Sequence, residues 1–429
     1  MEYVLYWARA ARRVEGNRAL HRAARLANER GLPLLFYEEL PCAAPYASDR
    51  FHTFALEGVP ETARRLARLG IGYAFYLPRR RADPQSMVEP LAGRAAAVVT
   101  DDEPLSGEVP YECVDASCVV PAGLIPGRQY AAYALRPKIR KLLPRYLKPL
   151  PAPELERPFT GPPPAFHSTV TEENIAELVS GCEIDHSIRP CPGRRGGRAA
   201  AEQKLARFLE RNLARYAGEK NDPAAHATSA LSPYLAFGHL GALETALEVR
   251  EYAAGHKLIA DEFLEELIVR RELAYNFCRY TGDPRSLAAL PDWARSTLAA
   301  HARDPRPNLY IWEEFARART HDPLWNAAQK ELLSTGTIHG YYRMYWGKKI
   351  LEWSATPEEA LATALDLNDR YALDGRSPNG YANVLWCFGL HDRPWPERAI
   401  FGTVRWMSYE GMRRKTNVEA YIREVEALP

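Results

Sequence analysis

Residues 3–37 read YVLYWARAARRVEGNRALHRAARLANERGLPLLFY, and this stretch decides the fold of the first part of the chain. It opens on a short apolar run, YVLYW at 3–7, passes through an amphipathic segment that lasts to Arg30, and returns to a second apolar run, LPLLFY at 32–37. A strand, a helix and a second strand in so short a span make a βαβ unit, in which the two strands run parallel. The rhythm repeats: a helical segment from Asp49 to Leu69 precedes GYAFYL at 72–77, and AAAVVT at 95–100 follows another short helix. Apolar strands that alternate with helices predict a parallel sheet covered on both faces. The first domain is therefore expected to be α/β and Rossmann-like.

The composition changes between Pro144 and Gly197, with PLPAP at 149–153, GPPP at 161–164 and RPCPGRRGGR at 189–198. Proline at that density excludes long helices and central strands, so the stretch is expected to connect two domains. From Ala199 onward apolar residues recur at helical spacing, as in LARFLERNLARY and FLEELIVRRELAYNF, and no convincing strand run follows. The expected organisation is an α/β domain at 1–145, a Pro/Gly-rich linker at 146–197 and an all-α domain at 198–429. Two domains also suit a chain of 429 residues, which is longer than a single core readily fills.

Hydrophobic residues at 46% and charged residues at 26% are those of an ordinary globular chain and exclude extensive disorder. The seven cysteines are odd in number, form no CxxC pair and follow no signal peptide, so a reducing cytoplasm is expected, on the nucleoid if the source is prokaryotic. No apolar run approaches the roughly 18 residues of a membrane span, since YVLYWA is followed at once by Arg9, Arg12 and Arg13. A net charge of +2 is too mild to announce a nucleic-acid partner, and any such surface must be local. The glycines of GRRGGR follow no strand, so they lack the setting of a phosphate loop. The 11 histidines show no metal-ligand spacing, and no metal is expected.

Three segments and a basic tail carry chemistry. TSALSPYLAFGHL at 228–240 places Thr228, Ser229 and Ser232 at a helix start, where backbone N–H groups and the helix dipole favour a phosphate; a plain capped helix reads the same way. DPLWNAAQKELLSTGTIHGYYRMYWGKKILEW at 322–353 is too aromatic for a solvent-facing helix pair. Trp346 and Trp353 share a helical face with Cα atoms roughly 10 Å apart, a stripe that serves as core or as an electron conduit, with core favoured on composition alone. LNDRYALDGRSPNGYANVLWCFGLHDRPW at 367–395 is polar, aromatic and rich in turns, the kind of segment that holds function. From Trp386 to Lys415, Arg393, Arg398, Arg405, Arg413, Arg414 and Lys415 outnumber Asp392, Glu397 and Glu410 and interleave with Trp395, Trp406 and Tyr409. A solvated face and a nucleic-acid surface both fit that pattern.

The stretches WNAAQ, HGYYRMYWGKKILEW, LNDRYALDGRSPNGY, GLHDRPW and RWMSYEGMRRK resemble class II cyclobutane-dimer photolyases of the photolyase and cryptochrome superfamily, in order and at family spacing. So do YWARAARRVEGNRAL, RPKIRKLLPRYL at 136–147 and TSALSPYL, and the likeness covers nearly the whole chain. It implies an α/β domain followed by a helical domain that binds FAD. It also implies light-driven repair of cyclobutane pyrimidine dimers, a carbon–carbon lyase reaction. An electron passes from excited, reduced, anionic FAD to a dimer flipped out of UV-damaged double-stranded DNA.

The resemblance implies roles for particular residues. Tyr216, Thr228, Ser229, Leu231 and Ser232 hold the diphosphate, and Arg343, Asn368 and Asp374 lie against the isoalloxazine. Trp386 and Met344 pack on the flipped dimer, and Asn221, beside Lys220, completes the polar side of the pocket. Glu266 hydrogen-bonds the lesion and, if buried, would be protonated and able to donate to a base carbonyl. Trp346, Trp325 and Trp353 form a photoreduction chain, and Lys220, Arg405, Arg413, Arg414 and Lys415 meet the DNA. A monomer is expected.

Three departures stand out. The segment DEPLSGEVPYECVDA at 102–116 is shorter than in the family and lacks a basic, aromatic portion, which speaks against the usual deazaflavin or other antenna chromophore. Tyr275 stands where the family commonly has aspartate, and Ala230 and Ala236 replace larger polar residues. The alternative is a cryptochrome-like flavin photoreceptor without repair activity. Its hallmark is a long C-terminal extension, whereas this sequence ends at Pro429 soon after the last helical segment.

Overall fold

The computed structural model of the protein describes residues 2–428 and contains one sheet of five parallel strands. These are β1 (Tyr3–Ala8), β2 (Leu34–Glu39), β3 (Gly72–Tyr76), β4 (Ala95–Asp101) and β5 (Glu112–Val114), in the order β3-β2-β1-β4-β5. Four are the expected strands. The fifth is a three-residue edge strand beside β4, drawn from the short segment after Asp101, whose apolar content was too low to mark it.

β1 is central, with Val4 opposite Leu34 on one side and Ala97 on the other. Side chains alternate between faces. Val4, Tyr6, Leu34 and Phe36 therefore bury against Leu20, Ala23 and Ala27 of the helix Arg18–Glu29, while Tyr3, Leu5, Leu35 and Tyr37 fill the opposite face. Asn17 caps that helix by accepting the Leu20 N–H at 3.0 Å. Each fully buried large side chain contributes about 1.5–3 kcal/mol.

Strand order reverses at β1, and open α/β sheets bind ligands in the crevice at the carboxyl ends of such a pair. Here that place is taken by Asp101. Its Oδ2 accepts the backbone N–H groups of Arg9, Ala10 and Ala11 at 2.8, 2.7 and 2.9 Å, and its Oδ1 accepts the Tyr6 hydroxyl at 2.8 Å. Successive backbone donors of this kind form an anion nest. The sheet fills its own nest with a carboxylate.

Two compact units divide the chain, and they interleave along it. The first comprises Met1–Leu124, Lys141–Arg207 and Ala230–Lys257. Within it the proline-rich stretch lies down on the sheet: Phe159 and Phe166 pack on one face, and Ile175, Leu178 and Val179, from the short helix Ile175–Ser180, pack with Phe75 and Leu77. The helix Ala242–His256 also belongs to this unit, with Glu244 accepting from Arg198 at 2.7 Å.

The second unit, Ile125–Arg140, Phe208–Ser229 and Leu258–Pro429, is helical as expected. Its relevant helices are α1 (Pro323–Thr335), α2 (Gly340–Trp353), α3 (Pro357–Tyr371) and α4 (Pro378–Trp386). Asp322, His339, Thr356 and Ser377 cap them in turn, and proline opens α1, α3 and α4, where its missing N–H is harmless. Among the described residues, no helix is long and apolar enough to cross a membrane.

Candidate active site

Arg343, one turn into α2, donates from Nη2 to Oδ1 of Asp374 at 2.8 Å, and both side chains are buried. Such a pair tolerates burial only while intact, because removing one partner strands the other charge. The turn between α3 and α4 aims Asp374. Ser377 Oγ donates to the Asp374 carbonyl at 2.8 Å and accepts the Gly380 N–H at 3.1 Å. A Cβ at Gly380 would stand 1.7 Å from the Gly375 carbonyl oxygen, so only glycine closes the turn. Asn368, buried at the end of α3, donates from Nδ2 to the Gly375 carbonyl at 3.2 Å and to Asp369 at 3.1 Å. Burial pushes the Asp369 carboxyl up to about 6. The three residues assigned to the isoalloxazine are thus brought together.

The tryptophans form a buried stack rather than a stripe along one helix. Trp325 of α1 lies parallel to Trp346 at 6.4 Å between centroids, and Trp353 meets Trp325 edge-on at 6.2 Å. The Trp346 indole N–H donates to Gln329 Oε1 at 2.9 Å, and that of Trp325 to the Trp346 carbonyl at 3.0 Å. Trp353 continues into Tyr310 at 5.7 Å and the exposed His321 at 4.9 Å.

Lys220 and Glu266 also come together, but not as expected. Glu266 sits in a π-helical turn, Glu265–Arg270, of a kind frequent at functional sites. Its side chain is 43% exposed and accepts from Lys220 Nζ at 2.8 Å, so the burial that the expected role presupposed is absent. Lys220 is also held by Glu262 at 2.6 Å and lies over the Tyr216 ring at 5.7 Å. Burial alone would depress this ammonium, but the bonds to Glu262 and Glu266 outweigh it and leave its pKa raised. Tyr216 is wedged between Phe208 and Phe263. Asn221 is exposed.

Trp386, the last residue of α4, is half-buried, as is Met344 on α2. Two cations face the Trp386 ring: Lys348 Nζ at 4.9 Å and the Arg405 guanidinium at 5.6 Å, which also lies 5.0 Å from Trp395. Arg413, Arg414 and Lys415 are all exposed, and Arg413 is in addition tied to Glu419 at 2.8 Å.

In the hydroxyl-rich motif, Thr228 and Ser229 are half-buried in the second unit, while Leu231 is buried and Ser232 exposed in the first. The helix that follows spans only Ser232–Ala236, and no side chain caps it. Ala230 adopts φ +54°, a left-handed conformation that alanine rarely takes and that is characteristic of strained functional turns. Tyr275 is buried, with its hydroxyl accepting from Arg271 at 2.9 Å.

Two residues escaped the sequence reading. Lys348 could have been noticed as a charge inside an aromatic run, and Gln329 as the polar residue one turn after Trp325.

No protein-family model matches the sequence, but individual proteins do. A class III photolyase from Agrobacterium tumefaciens aligns with a TM-score of 0.72 and 17% identity over 99% of this chain and 86% of its own. An archaeal photolyase from Sulfolobus tokodaii, solved with two FAD molecules, aligns with a TM-score of 0.66 and 17% identity over 99% of this chain and 90% of its own. The parallel-sheet unit and the helical unit with its buried tryptophans therefore define a photolyase fold. The deoxyribodipyrimidine photo-lyase of Methanothermobacter thermautotrophicus is 39% identical over 99% of this chain and 95% of its own length. The chain belongs to the deoxyribodipyrimidine photo-lyase family.

Proposed function

We propose that the protein is a class II photolyase that repairs cyclobutane pyrimidine dimers in double-stranded DNA under light. The observation that carries this reading is the placement, one turn apart on α2, of a buried Arg343–Asp374 pair and a Trp346 stacked on Trp325. A fixed cation beside a conduit of oxidisable rings is what a light-driven one-electron enzyme requires.

The residues fit FAD. Only Nη2 of Arg343 is engaged by Asp374, which leaves the other guanidinium N–H groups for an anionic ring system. Asn368 is held in place by Gly375 beside them. Tyr216, Thr228, Ser229, Leu231 and Ser232 are the candidates for the diphosphate. Held there in its reduced form, FAD would supply the one-electron photochemistry for dimer opening.

The chain's own groups do the rest. Trp346, Trp325 and Trp353 would pass electrons inward from the side where Trp353 meets the exposed His321. Trp386 and Met344 offer an aromatic face and a thioether to the flipped dimer, with Asn221 at the rim. Lys220 has two of its three N–H donors on Glu262 and Glu266, so the third is the donor to a base carbonyl, and Glu266 acts by aiming it. Arg405, Arg414 and Lys415 bind phosphates, with Arg413 weakened by Glu419. The segment 102–116 supplies β5 in place of the usual antenna-binding portion, so repair runs on the flavin's own absorption. The protein works as a cytoplasmic monomer. Light-dependent loss of dimers from a damaged duplex, with a (6-4) lesion as control, tests this function.

A further inference from the structure

Lys348, in the middle of α2, is fully buried, and its bonds are unusual for a buried ammonium. Its Nζ donates to the carbonyl of Cys387 at 2.6 Å and faces the Trp386 ring at 4.9 Å, and among the described residues no carboxylate binds it. Cys387 terminates α4, so the charge sits on the negative end of that helix dipole while facing the indole of the helix's last residue. Keeping such a charge out of water works against folding, and a methionine would fill the volume without that penalty. Its neighbour Lys349, by contrast, is neutralised by Glu352 at 2.6 Å.

We propose that Lys348 is a positioning residue whose buried charge sets the pitch of the Trp386 ring, so that lesion recognition depends on Lys348 being protonated. The proposal rests on the reading that Trp386 packs on the flipped dimer. The groups that face Lys348 are the Cys387 thiol at the end of α4 and Asp392 and Arg405 from the segment beyond it. Burial lowers the Lys348 ammonium to about 8, with Cys387 and Asp392 pulling it up and Arg405 pushing it down. Burial likewise pushes the Cys387 thiol up to about 11, so between pH 7 and 9.5 the charge that changes in this cluster is that of Lys348. As pH rises through that interval the ammonium loses its proton, and with it its grip on both the helix end and the ring.

The test has two arms, both on the full-length holoprotein. Tryptophan emission of the free protein is titrated from pH 6.5 to 9.5 in the wild type, Trp386→Phe and Lys348→Met. The expected result is a step with a midpoint near 8 in the wild type that is absent from both variants. The ratio of affinities for dimer-bearing and undamaged duplex is then measured over the same interval. It should fall severalfold in the wild type and be low and pH-independent in Lys348→Met, while general losses of DNA affinity cancel in the ratio. A flat wild-type emission curve overturns the clamp. An emission step with an unchanged affinity ratio overturns its role at the lesion. The first arm involves no DNA, so its failure is distinct from failure of the proposed repair activity. If Lys348→Met does not fold, the wild type and Trp386→Phe still decide the matter.

Discussion

Trp325 lies between Trp346 and Trp353: it stacks on the first with 4° between ring planes and meets the second edge-on, although in sequence it precedes both by a full helix. The proposed conduit therefore crosses from α2 to α1 and back instead of running along one helix.

That crossing gives the first prediction. Trp325→Phe should slow light-driven reduction of the oxidised cofactor as severely as Trp346→Phe, while repair by chemically reduced protein persists in both. Transient absorption on the two variants checks this. Wild-type photoreduction in Trp325→Phe would mean that electrons pass along α2 directly from Trp353 to Trp346.

The second concerns the polar support of the stack. Gln329→Leu leaves the buried Trp346 indole N–H without its acceptor, which should lower stability by about 1–3 kcal/mol in denaturant titration.

The third addresses the buried pair. Asp374→Ala strands the Arg343 guanidinium, and the expected loss is about 3–5 kcal/mol. FAD content after purification should fall with it, since the turn that presents Asp374 also anchors Asn368 through Gly375.

The sheet is legible because its four longer strands are continuous apolar runs, and the helical unit because apolar residues recur at helical spacing from Ala199 onward with no strand run among them. β5 is not legible: three residues, two of them exposed, leave no periodicity to find. At the site, Arg343, Asn368 and Asp374 were found together through long linked motifs. The pairing of Glu266 with Lys220 was missed because it depends on exposure, and that depends on how a π-helical turn aims a side chain. The Trp325 position in the stack was hidden for a related reason, since a one-dimensional stripe does not say which neighbouring helix inserts a ring.

A fourth prediction follows from the cap of α2. His339 accepts the Tyr341 N–H through Nδ1 at 3.3 Å, and burial lowers its pKa to about 4. Between about pH 6.5 and 4 the unfolded chain binds a proton there that the native protein refuses. Stability is therefore present above this window and is lost as pH falls through it, at up to about 1.4 kcal/mol per pH unit. His339→Asn keeps an acceptor at the cap without the titration, so its stability curve should be flatter across that window.

A fifth separates the DNA contacts. Arg414→Ala and Lys415→Ala should weaken binding to damaged and undamaged duplex alike and each reduce the salt slope by about one. Trp386→Ala should narrow the gap between the two duplexes, with stacking worth about 1–3 kcal/mol per base, and leave the slope unchanged. Arg405→Ala should do both, because its guanidinium lies over Trp386 and Trp395.

The most direct test of the whole account is illumination of the reduced holoprotein with an oligonucleotide carrying one cyclobutane thymine dimer, following the return of base absorbance. Recovery should require light, turn over many dimers per protein and leave a (6-4) lesion untouched. A flavin-loaded, reduced protein that binds the damaged duplex yet restores no absorbance under light would contradict it.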